Sequence, residues 1–87
     1  MNKARRKKLS EAAKMLRQAI KIIKAAADEE NAAFENLTKG LRYTARGMNI
    51  DYNISALDEA TIYLEEYTGQ IEQIVMEGER HGLQEES

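Results

Sequence analysis

Residues 9–37 read LSEAAKMLRQAIKIIKAAADEENAAFENL, and their spacing decides the fold. Leu9, Leu16, Ile23, Glu30 and Leu37 recur every seven residues, with Ala13, Ile20, Ala27 and Phe34 four positions further on. These are the d and a positions of a heptad on one helix, and the seam they form has to be buried against something. A third row, Ala12, Ala19, Ala26 and Ala33, adds only methyl groups along one edge, so a neighbouring backbone can approach closely there.

Working outward, the spacing predicts a first helix over about residues 3–38, with Asn2 as its cap and Ser10 as a second cap candidate. At about 1.5 Å per residue this is a rod of about 50 Å, too long to be covered by anything but another long helix. Residues 39–47 are the connection: Gly40 fits a helix C-cap, Lys39 suits the C-terminal dipole, and Leu41 can fold back over Leu37. A second helix is expected over about 48–78, with Thr44 and Asn49 both acceptable starts. It repeats the first in two rows, Ile50, Leu57, Leu64 and Ile71 beside Ile54, Thr61, Thr68 and Val75. Ala60, Tyr67 and Ile74 widen its face on one flank, and Gly69 inside it marks close backbone approach or a slight bend. Residues 79–87, with a further glycine at 82, read as a flexible tail. The expected architecture is all-α, an antiparallel coiled-coil-like hairpin.

Glu30 stands where the seam calls for Leu. An unpartnered carboxylate buried there would cost several kcal/mol, so it lies either at a seam edge reached by water or in a buried hydrogen bond, with Thr61 of the facing helix as the candidate donor.

Composition narrows the function. The 87 residues contain no Pro, Trp or Cys, which leaves little to break helices and excludes disulfide staples and thiolate metal sites. A core of this size is thin, so assembly is expected to supplement it. The wide apolar faces predict a homodimer closing a four-helix bundle, with Tyr63, Tyr67 and Ile74 in the interface and Tyr52 also off the central seam. No apolar run approaches the ~18–20 residues that span a bilayer, and the start of the chain leads into an amphipathic helix rather than a signal core. A cytoplasmic protein without membrane contact is the expectation. Net charge is −2, but residues 1–47 hold twelve Lys or Arg against five acids, and residues 48–87 hold Arg80 against ten. A basic half therefore faces an acidic half once the chain folds back.

Asp28-Glu29-Glu30, the run Ala33-Phe34-x-Asn36-Leu37, the Gly40-Leu41 turn, Arg46-Gly47 and Asn53-Ile54-x-x-Leu57-x-x-Ala60 resemble small, largely uncharacterised helical-hairpin proteins of Gram-positive phages and mobile elements. The likeness covers most of residues 5–75. It implies an accessory protein that acts by binding, against a host protein or defence complex, and it carries no catalytic residues with it.

No residue set specifies a reaction. His81 is the only histidine and has no second His or Cys for a transition-metal site. The acids Glu65, Glu66, Glu72 and Glu77 lack the Glu-x-x-His spacing of a di-metal bundle and read as a solvated flank. No serine has a histidine base within helical reach, and no glycine-rich phosphate loop follows a strand. No enzyme activity, metal or cofactor is expected. Two binding surfaces are. The hairpin tip gathers Lys39, Leu41, Arg42, Tyr43 and Arg46, residue types frequent in protein hot spots, although a purely structural loop with Tyr43 packed on Phe34 fits equally. The alternative surface is a basic stripe for nucleic acid, Arg5, Arg6, Lys7, Lys14, Arg17, Lys21 and Lys24.

Overall fold

The computed structural model describes residues 1–80, which form three helices: α1 (Lys3–Glu35), α2 (Lys39–Arg42) and α3 (Ala45–Arg80). Helices α1 and α3 lie antiparallel in a rod of 64 × 15 × 14 Å. No strand occurs among the described residues.

Local chemistry sets the boundaries. Asn2 Oδ1 accepts from the Arg5 backbone N–H at 2.9 Å and starts α1, so the Ser10 cap is not used. The helix stops at Glu35, three residues before the expected end. Asn36 closes it, donating its N–H to Ala32 O at 3.0 Å, and Leu37 donates to Phe34 O in a tighter turn. Thr38 then turns extended, and its hydroxyl oxygen accepts from Leu41 N–H. This cap starts the single turn of α2, so Gly40 is helical rather than a left-handed C-cap, and no glycine among the described residues has positive φ.

Thr44 begins α3. Its hydroxyl accepts from Gly47 N–H and donates to Leu41 O at 2.6 Å. The helix therefore starts at Ala45, not 48, and it runs through Gly78 to Arg80. Glu79 and Arg80, expected in the tail, are helical; residues 81–87, including His81, lie outside the described residues.

Two glycines are close-approach points. A Cβ on Gly47 would lie 2.5 Å from Arg42 O and 2.6 Å from Leu41 O, so only glycine lets α3 start directly beneath α2. At Gly78 a Cβ would collide with the Arg6 side chain. Around Gly69 nothing lies within 4 Å of such a Cβ, which corrects the expectation of close approach there.

The seam is asymmetric. Its a row is buried at Ala13, Ile20 and Ala27 on α1 and at Thr61, Thr68 and Val75 on α3, with Thr68 only 1% exposed, and half-buried at Phe34 and Ile54. Arg6, one heptad before Ala13, and Gly47, one heptad before Ile54, stand on the same two rows and are buried too. The d row is only half-buried throughout, comprising Leu9, Leu16, Ile23, Glu30 and Leu37 on α1 and Ile50, Leu57, Leu64 and Ile71 on α3. Apart from Ile20 and Arg6, the buried side chains are small, while the leucines and the other isoleucines of the seam stand half in water.

Candidate interaction surfaces

At 100° per residue, positions four after each a residue lie on one side of the seam, and positions one before it lie on the other. The first side is bridged by ion pairs, with shallow open clefts beside them that Ile62 and Met76 help to line. Arg17 donates from Nε and Nη2 to the Glu72 carboxylate at 3.0 and 2.6 Å, and Lys24 pairs with Glu65 at 2.5 Å. The Arg17 hydrogen bond holds Glu72 below the usual carboxylate range, and the same bond raises the Arg17 guanidinium pKa.

The second side is apolar and open. On α1 it is the row Ala12, Ala19, Ala26 and Ala33; on α3 it is Asn53, Ala60, Tyr67 and Ile74. Together with the half-buried Leu and Ile of the d rows these make one continuous face. Met15 and Ile22, 68% and 70% exposed, extend it beyond the alanines, and the exposed Tyr63, stacked on Tyr67 with ring centroids 6.4 Å apart, extends it on α3. Met15 and Ile22 escape a search for a and d rows, yet their seven-residue spacing, one position before the d row, is a readable signal.

One polar pair interrupts this face. Asn53 Nδ2 donates to Glu30 Oε2 at 3.2 Å, which resolves the Glu30 question: the partner is Asn53, while Thr61 donates instead to Leu57 O at 2.8 Å within its own helix.

At the tip, Arg42 has a structural position. Its guanidinium lies 5.3 Å from the Phe34 ring centroid and donates from Nη2 to Glu35 O at 3.0 Å, so a cation caps the α1 C-terminus where the helix has none of its own. Its Nε is buried without a hydrogen-bond partner. Arg42, not Tyr43, packs on Phe34. Tyr43 is 81% exposed, and Lys39, Leu41 and Arg46 are exposed beside it.

The basic stripe is divided by the fold. Arg6 is buried, its stem over Gly78 and its Nη1 donating to Met1 O at 2.6 Å, because a glycine opposite leaves room for a long side chain in the seam; it does not belong to an exposed stripe. Arg17 and Lys24 are committed to acids of α3. Arg5, Lys7, Lys14 and Lys21 remain exposed.

Among the described residues, no group of three or more His, Cys, Asp or Glu is arranged to hold a metal ion, and no helix is long and apolar enough to cross a membrane. No protein-family model, no curated protein and no solved structure matches the chain.

Proposed function

We propose that this chain is a non-enzymatic interaction module that self-associates through its open apolar face and presents the hairpin tip to a protein target. The observation that carries the reading is the contrast between the two sides of one seam, one bridged by ion pairs and the other lined with alanine, leucine, isoleucine and tyrosine. The chain exposes 6744 Å², where a compact monomer of its mass would expose about 5,200 Å². A standard interface hides about 800 Å² per partner, which is close to half of that excess. A second hairpin on the open face makes a four-helix bundle with the d rows at its centre.

Ala19→Glu tests the reading cleanly. Ala19 is exposed in the single hairpin, so a carboxylate there leaves a monomer intact, yet it lies in the middle of the face. Light scattering at micromolar concentration is expected to give a dimer for the native chain and a helical monomer for this variant. Equal masses for the two would refute self-association through this face.

Leu41 and Tyr43, apolar and exposed between Lys39 and Arg46, support the tip as the target contact. The resemblance to phage and mobile-element hairpins supplies the class of target, a host protein or defence complex. Double replacement Leu41→Ala, Tyr43→Ala is expected to abolish capture of that target while leaving the dimer unchanged.

The second reading, nucleic-acid binding along α1, rests on Arg5, Lys7, Lys14 and Lys21, which stay exposed on one helix. It requires affinity that falls steeply with salt and is lost on reversing Lys14 and Lys21.

A further inference from the structure

We propose that the second copy lays its α3 on α1 of the first, so that both hairpin tips lie at the same end of the bundle; the inference rests on the self-association proposed above. A twofold axis can join two such faces lengthwise in two ways. An axis along the rod sets α1 against the partner's α3 and brings the tips together. An axis across the rod sets α1 on α1 and α3 on α3, with the tips at opposite ends.

Shape separates the two. The α1 edge of the face is a strip of alanines at 12, 19, 26 and 33, while the α3 edge carries Tyr67 and Ile74. With the axis along the rod the Tyr67 and Ile74 edge of each copy lies along the alanine strip of the other, large side chains against small ones. With the axis across the rod, alanine meets alanine and the bulky α3 edges meet each other. Helix spacing runs from about 8 to 10 Å with the size of the side chains between, so the two layers would then splay apart.

Charge agrees with shape. Helix α1 carries nine Lys or Arg and five Asp or Glu, while α3 carries two against eight. The axis along the rod sets the basic helix against the acidic one at every contact in the assembly, as in the single hairpin. The other arrangement stacks two acidic helices. Tips at one end also place both Glu30–Asn53 pairs in the tip half of the bundle, and bring Tyr43, Lys39 and Arg46 of both copies onto one surface.

The chain has no cysteine, so Tyr43→Cys supplies one thiol per copy for a spin label at an exposed position, and Lys3→Cys does the same at the open end. Dipolar distance measurement on each labelled full-length chain is expected to give one short separation, under about 35 Å, the width of two helix layers plus the label tethers. Separations approaching the 64 Å length of the rod in both variants would overturn the orientation while leaving the dimer standing. Sedimentation of the same samples at monomer mass, with no intermolecular distance, would overturn self-association itself and this inference with it.

Discussion

The two sides of the seam are built from the same two helices, in the same register, yet they end differently. On one side the edge residues are Arg17 and Lys24 against Glu72 and Glu65, and long charged side chains reach across the groove and bridge it at two points. On the other the edge residues are alanines against Tyr67 and Ile74, and the leucines and isoleucines behind them stay half-exposed. The first edge is bridged within a single hairpin. The second has the composition of an interior and the exposure of a surface, and it is the face proposed to take a second copy.

Paired substitutions either side of the seam sharpen this contrast. Ile20, 4% exposed, and Ile23, half-buried on the open side, are three residues apart. Ile20→Asp is expected to unfold the chain, since a carboxylate without a partner would be forced into the a row at a cost of several kcal/mol. Ile23→Asp should instead act mainly on assembly, lowering mass before helicity; circular dichroism and sedimentation on both variants read the difference. Equal loss of helix in the two would break the distinction between a bridged and an open side.

The glycines give the next largest effect, and with opposite signs. Gly47→Ala places a methyl group against two backbone carbonyls and should destabilise by about 1–3 kcal/mol, as overpacking does. Gly69→Ala meets nothing and should stabilise by up to about 1 kcal/mol through helix propensity. Urea unfolding monitored at 222 nm checks both.

At the tip, Arg42→Ala should cost more stability than Tyr43→Ala, because Arg42 covers Phe34 and caps α1. Replacing the exposed Tyr43 should stay within about ±0.5 kcal/mol, and a larger loss there would show the tyrosine to be structural.

The smallest effect belongs to the bridged edge. Glu72 titrates below its ordinary range because Arg17 donates to it, so the pair stabilises the fold above the unfolded-state carboxylate pKa and loses that contribution as pH falls through the depressed folded value. The native chain should therefore be slightly more stable than Glu72→Gln at neutral pH and equal to it in strong acid. Both side chains are 41% exposed, so the difference should also shrink in high salt.

Much of this fold is legible in the sequence because the seven-residue period is carried by apolar side chains from Leu9 to Phe34 and from Ile50 to Val75. The period continues through Arg6, Gly47 and Gly78, where it is hidden: an arginine and two glycines do not look like core until their neighbours are known. Gly47 argues against a helix by propensity, and only the proximity of the α2 carbonyls explains why it stands in the first turn of one. Gly40 illustrates the converse, since a helix-ending glycine and a glycine in the first turn after a Thr cap look alike in sequence. The exposed Tyr63, Tyr67 and Ile74 are readable as surplus apolar surface, whereas the division of the basic stripe depends on which lysines and arginines meet α3 acids, and that requires the register.

The claim that the open face is covered by a second copy is tested most directly by sedimentation equilibrium of the native chain across the micromolar range. The account predicts a mass twice the 9.9 kDa of the chain, with dissociation only on dilution. A single 9.9 kDa species that stays fully helical and unfolds cooperatively at every concentration would contradict it.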